Sequence, residues 1–274
     1  MGTLEDTRAA WDRIAPGYDE FVTPTHMWLA SEGLRRAGLR PGMRFLDVAA
    51  GSGALSIPAA RLGARVLSVD LSPTMVERLR ARARDEGLSN LEVRVMDGHA
   101  LELADDAFDL AGSQFGVMLF PDLPRGVREM ARVTKPGGRV LMNVYGPPAN
   151  IEFLAFFVAA VQAAVPGFTG LPSDPPPLPF QVADPDKLGR ELADAGLRDV
   201  RVETVTESLA FQTGKQMWDW VVNSNPIGAH LVANLTDEHR AVVREALEGM
   251  VRERAGGSGP ATLTNPVHIG VGTK

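Results

Sequence analysis

A chain of 274 residues fits one large domain, or one domain with a cap, and its 45% hydrophobic and 23% charged residues are ordinary for a globular protein. With no cysteine, disulfides, thiolate metal sites and cysteine nucleophiles are excluded, and no other metal site is expected. A net charge of −6 without a Lys/Arg cluster argues against nucleic acid, and no apolar run nears the about 20 residues that span a bilayer, so the expected partner is a small molecule.

The N-terminal MGTLEDTRAAWDR lacks the basic-then-apolar order of a secretory signal, which makes the cytoplasm the expected location. Residues 4–38 read as two helices broken at APGYDEFVTPT by Pro16, Gly17 and Pro24. Residues 1–40 are expected to form a helical cover over a domain at 41–274. Strand and helix then alternate. MRFLDVA (43–49) is a short apolar run, and SIPAARLG continues as a helix ending at Gly63. ARVLSVD (64–70) is a second strand, after which Ser72 caps a helix with Pro73 in its first turn. LEVRVMD (91–97) and FDLAGSQ (108–114) are the third and fourth strands. A helix from about Pro124 leads to the turn KPGG and to strand RVLMNVY (139–145). These strands are dense in Val, Leu and Met instead of alternating in polarity. That pattern marks a parallel sheet covered on both faces, hence a doubly wound, Rossmann-like α/β fold.

After Tyr145 the pattern changes. EFLAFFVAAVQAAV (152–165) is a helix apolar on nearly every side, followed by the proline-rich loop PGFTGLPSDPPPLPF. DPDKLGRELADAGL resumes as a helix, DVRVETVTESLAF supplies a sixth strand, and residues 214–255 hold two or three further helices, one carrying Trp218 and Trp220. TNPVHIGVG is the final strand. Helical lid insertions are therefore expected at about 147–183 and 212–258.

The turn in FLDVAAGSGALS admits three readings. A dinucleotide fingerprint needs a third glycine where Ser56 stands. A nucleophile elbow centred on Ser52 needs glycines where Ala50 and Ala54 stand. The third reading is a cofactor without a pyrophosphate. Asp47 at the mouth of the turn would repel a pyrophosphate and favour a ligand carrying an ammonium and a sulfonium. Asp70 ends the second strand, where a carboxylate can accept from ribose hydroxyls, and Asp97 ends the third.

Together WDRIAPGYDEF, FLDVAAGSGALS, VLSVDLSPTMVERLRARA, NLEVRVMDGHALELADDAFDLAGSQFGVMLFPD and EMARVTKPGGRVLMNVYG resemble the class I S-adenosylmethionine (SAM)-dependent methyltransferases. The likeness is strongest to the small-molecule branch that includes ubiquinone and menaquinone methyltransferases. The resemblance implies a seven-stranded, mostly parallel sheet whose last strand is antiparallel. It also implies that Asp47, Ala49, Gly51 and Gly53 line the methionine moiety, that Asp70 holds the ribose, and that Leu71 and Met75 pack on the adenine. Asp97 would accept from the adenine amino group beside Gly98 and His99. Gln114 would border the methionine end, and Tyr18 would close over the cofactor.

Transfer of a methyl group from SAM to a small apolar or aromatic acceptor is the activity this reading implies, by in-line displacement that leaves S-adenosylhomocysteine. His26 in TPTHMW is the first candidate for a base, because its segment would cover the site. Phe115, Met118, Tyr145 and Trp218 are the candidate acceptor-binding residues, and the same apolar lid could instead form a homodimer interface. The alternatives are a nicotinamide-dependent oxidoreductase and a SAM-binding protein without catalysis.

Overall fold

The computed structural model describes residues 3–171, 175–223 and 226–274. Helix α1 (Leu4–Gly17) opens on a capping box between Thr3 and Asp6 and passes through a π-helical turn (Tyr18–Val22) into α2 (Thr23–Ala37). The expected break is therefore a widened turn in one helical run. Pro24 lies in the first turn of α2, where its missing N–H matters least. Gly17 is a contact point, since a Cβ there would lie 2.3 Å from the carbonyl oxygen of Asn223.

Strands β1 (Arg44–Val48), β2 (Arg65–Asp70), β3 (Leu91–Val95), β4 (Phe108–Gln114) and β5 (Thr134–Tyr145) are parallel, in the spatial order β3-β2-β1-β4-β5. Helices α3 (Ser56–Arg61), α4 (Pro73–Asp85) and α5 (Leu123–Val133) connect them. The order reverses between β1 and β4, and such a switch point opens a crevice at the strands' carboxyl ends. β5 starts at Thr134, before the KPGG turn, which bulges where the register with β4 slips between Phe108 and Leu110.

The sheet then turns antiparallel. β7 (Ala261–Thr273) inserts between β5 and β6 (Arg198–Phe211), so the order ends β5-β7-β6. Gly270 lets α7 (Pro185–Asp194) pack on this part of the sheet, because a Cβ there would meet Leu188 and Leu192 at about 3 Å. Helices α6 (Glu152–Ala164), α8 (Gly214–Val222), α9 (Pro226–Val232) and α10 (Asp237–Arg254) form the lid. Glu152 of α6 ties it to β7 by accepting from Thr264 N and Oγ1 at 2.6 and 2.9 Å, and pairs with Arg254 of α10 within the lid. One apolar core runs from Leu29 and Leu34 through Phe45 and Leu110 to Leu247. Among the described residues no helix is long and apolar enough to cross a membrane.

Candidate active site

The chain leaves β1 through a turn with Ala49, Gly51 and Gly53 at φ of 56°, 54° and 103°. Left-handed backbone suits the glycines; Ala49 is held there by its surroundings. Asp47 is buried beneath the turn, where its Oδ2 accepts from Ser56 Oγ, and that hydroxyl also meets Ser68 Oγ at 2.7 Å. Ser56 stands where a dinucleotide turn has its third glycine, and here it is committed to Asp47. Burial pushes the Asp47 carboxyl up to about 7 against the opposing Ser56 bond, and its Oδ1 is buried without a partner. Ser52 bonds Thr23 Oγ1 at 2.6 Å and anchors α2, which leaves it no role as a nucleophile.

Asp70 clamps the turn from β2. Its Oδ2 accepts from Gly51 N at 2.8 Å and its Oδ1 from Ser72 N at 2.9 Å. Each oxygen keeps acceptor capacity for a diol. Burial pushes this carboxyl up to about 6 even though both N–H groups favour its charged form. Asp97 Oδ1 accepts from His99 N at 2.9 Å and meets His99 Nδ1 at the same distance, and the imidazole stacks on Phe120 with centroids 4.2 Å apart.

A cavity of about 180 Å³ joins these groups. Of the residues expected to bind cofactor, Ala49, Gly51, Asp70, Leu71 and Met75 line it, as do Asp97, Gly98, His99, Gln114 and Tyr18. Two do not. Asp47 lies under the turn, and Gly53 faces the core, where a Cβ would lie 2.3 Å from Leu79 Cδ1. Sequence reasoning missed Thr7 and Trp11 of α1, Met96, Phe120 and Gly116. A Cβ on Gly116 would come within 2.6 Å of Ala49 Cβ, so two turns far apart in sequence interlock there. Phe115, beside it, is the second non-glycine of the site in left-handed backbone, at φ 57°.

A second cavity of about 370 Å³ lies under the lid and shares Thr7, Trp11, Tyr18, Phe115 and Leu119 with the first. His26, Met118, Tyr145, Phe153 and Trp220 line it, and the strap Pro177–Phe180 closes one side. Gln181 fastens that strap by donating to the carbonyls of Met118 and Phe120 at 2.6 and 2.9 Å. Trp218 is a correction. Residues two apart on a helix point to nearly opposite faces, so Trp220 reaches the cavity while Trp218 packs on Phe157 and under the Arg244 guanidinium.

One polar cluster backs this aromatic cavity. His26 Nε2 lies 3.4 Å from Tyr145 Oη and 3.4 Å from Glu207 Oε1, while Asn265 Nδ2 donates to Glu207 Oε2 at 3.2 Å. The Tyr145 ring stacks on Phe115 at 4.2 Å, and Phe115 in turn lies 4.9 Å from the imidazole. Burial holds His26 down at about 3 and pushes Glu207 up to about 7; it raises the Tyr145 hydroxyl well above its ordinary value. Glu207 went unrecognised in the sequence. The signal was its phase, for it alternates with Leu209 and Phe211 on the buried face of β6.

Residues 46–142 match a family model described as a methyltransferase domain. The demethylmenaquinone methyltransferase of Renibacterium salmoninarum is 30% identical over 227 residues, 77% of this chain and 94% of that protein. Nocamycin O-methyltransferase of Saccharothrix syringae is 29% identical over 279 residues, 94% of each chain. An uncharacterized protein of Mycobacterium tuberculosis is 48% identical over 104 residues, so the match spans only 38% of that relative's length. A putative methyltransferase of Bacillus halodurans shares the fold, with a TM-score of 0.57 at 18% identity over 89% of this chain and 98% of that one.

Proposed function

The chain belongs to the SAM-dependent methyltransferases, and from that premise we propose that it methylates a hydroxyl of an uncharged, apolar or aromatic acceptor. The observation that carries this reading is the pair of cavities meeting at Tyr18 and Phe115, with a histidine in the wall of the second.

The lining of the first cavity fits SAM by its chemistry. Asp70 offers two oxygens to a diol, Leu71, Met75 and Phe120 offer apolar walls to a purine, and no Lys or Arg among the described residues lines it to hold a pyrophosphate. When bound, SAM supplies an electrophilic methyl group. Tyr18, half-buried and shared by both cavities, stands between cofactor and acceptor, and the covering α1 excludes water. Asp12 of α1 latches that cover by accepting from Ser72 Oγ and from Thr74 N at 3.0 Å. The nicotinamide alternative fails on Ser56, tied to Asp47, and on the buried carboxyl beneath the turn.

The second cavity defines the acceptor by what it lacks. Among the described residues, no Lys, Arg, Asp or Glu lines it, so a phosphate or carboxylate entering it would be left unpaired at a cost of several kcal/mol. Cavities of roughly 300–1,000 Å³ accept compact organic ligands, and about 370 Å³ lies at the small end of that range. Among the described residues His26 is the only histidine that lines this cavity, and it takes the acceptor proton.

Thermal shift and a methyl-transfer screen test this. S-adenosylhomocysteine should stabilise the protein and NADH should not. Neutral phenols and enols should accept labelled methyl, and His26→Gln should lower the rate about 100-fold while SAM affinity holds. Transfer confined to carboxylates or amines would sink the hydroxyl reading.

A further inference from the structure

We propose that Glu207 is a positioning residue that sets the tautomer of His26, so that the imidazole presents the lone pair of Nδ1 to the acceptor proton. This inference rests on His26 acting as the base.

The geometry is specific. Glu207 is 2% exposed and sits on β6 in register with Asn265 of β7, in a row whose other inward residues are Leu209 and Phe211. A lone carboxylate on an apolar face destabilises the fold unless something compensates it, so packing alone does not explain it. Asn265 Oδ1 accepts from Phe153 N at 3.4 Å, which turns its Nδ2 toward Glu207 Oε2. Glu207 is thereby oriented with Oε1, which has no hydrogen-bond partner of its own, 3.4 Å from His26 Nε2, the atom that also meets Tyr145 Oη at 3.4 Å. On the far side of the ring, Nδ1 is buried with no partner. The groups facing Glu207 are His26 from α2, Tyr145 from β5, Asn265 from β7 and, at longer range, Tyr18 from the π-helical turn.

Two proton states follow. With Glu207 ionised, Oε1 accepts Nε2–H and Nδ1 is free as a base. With Glu207 protonated, its O–H donates to Nε2, the ring proton moves to Nδ1, and the base is blocked. During transfer the acceptor O–H proton passes to Nδ1 as the O–CH3 bond forms and the S–CH3 bond breaks with its electron pair on sulfur. The positive charge lost at sulfur thus reappears on the imidazole, beside a carboxylate already in place. Burial pushes Glu207 up to about 7, so the change of tautomer falls near neutral pH, whereas His26 itself stays neutral far below it.

Nitrogen-15 NMR of the ligand-free protein decides this, with the His26 signals assigned by their loss in His26→Asn. The wild type should hold Nε2–H at pH about 8.5 and Nδ1–H at pH about 5.5, with the crossover near 7. In Glu207→Gln, Asn265 keeps the amide oxygen, so the amide NH2 faces Nε2 and the ring should stay Nδ1–H throughout. That variant should lose about 100-fold in kcat with the KM for SAM unchanged and the rise of rate with pH abolished, and Glu207→Asp should restore part of both. An Nδ1–H ring in the wild type at pH about 8.5, or a Glu207→Gln protein with the wild-type tautomer, overturns the proposal. If Glu207→Gln does not fold, the wild-type titration alone supports or overturns it. The tautomer is read without cofactor or acceptor, so failure here is distinct from failure of S-adenosylhomocysteine to bind.

Discussion

At the carboxyl ends of β1 to β4 main-chain turns shape the cavity beside side chains such as Leu71, Met75 and Phe120. The N–H groups of Gly51 and Ser72 converge on Asp70, and Gly98 and Gly116 are places where a Cβ would collide with Phe120 or Ala49. Under the lid the walls are side chains: His26 from α2, Tyr145 from β5, Phe153 from α6 and Trp220 from α8. The difference teaches how one fold keeps its cofactor while changing its acceptor. A main-chain cradle is fixed by local turns and tolerates little substitution. A side-chain chamber can be reshaped one residue at a time without disturbing the turn. Tyr18 and Phe115 belong to both and are where the two meet.

The widest gap is expected inside the lid, between two tryptophans on one helix. Trp218→Ala and Trp220→Ala each remove a buried indole, and each should lower stability by about 3–5 kcal/mol. Only Trp220→Ala should raise the acceptor KM, because only Trp220 faces the chamber; Trp218 packs on Phe157 and Arg244. Denaturant unfolding and acceptor kinetics measure the two effects separately, and an equal KM rise in both would erase the distinction drawn between them.

The same contrast explains what was legible in the sequence. The first half is written locally: turn glycines, a cap at Ser72 and an aspartate at or near each strand end lie within short stretches, where spacing picks them out and the family resemblance implies their roles. The break expected at Pro16, Gly17 and Pro24 is a π-helical turn in a continuous run, with Pro16 inside α1 and Pro24 in the first turn of α2. Sequence points to Trp218 in place of Trp220 because a helix's inward face is decided by its neighbours, which sequence does not show. Glu207 escapes notice for a related reason. Its partner His26 lies at the other end of the chain, and only the antiparallel end of the sheet brings them together.

A smaller effect separates the two halves directly. Asp70→Ala removes the acceptor for two main-chain N–H groups and the one proposed for the ribose, and charge-assisted hydrogen bonds contribute roughly 1.5–3 kcal/mol each. SAM affinity by calorimetry should fall at least about tenfold, while acceptor analogues bind as before. Unchanged SAM affinity would remove Asp70 from the cofactor half.

The smallest predicted effect concerns pH. In the ligand-free fold Asp47 holds its proton to about 7 and Asp70 to about 6, because burial penalises their charged forms. The unfolded chain releases both near the ordinary 3.8. Each group therefore lowers stability progressively as pH climbs from that value to its folded one. A cation in the neighbouring cavity reverses the sign by favouring both carboxylates. SAM binding should therefore release protons and tighten from pH about 5 to 8, by up to about tenfold for each unit by which a carboxyl is pulled down. S-adenosylhomocysteine has no sulfonium charge, so its affinity should rise less over the same range. Calorimetry in buffers of different ionisation enthalpy counts the protons. An equal rise for both ligands would assign the effect to the hydrogen bonds of Asp70 alone and leave Asp47 a purely structural partner of Ser56.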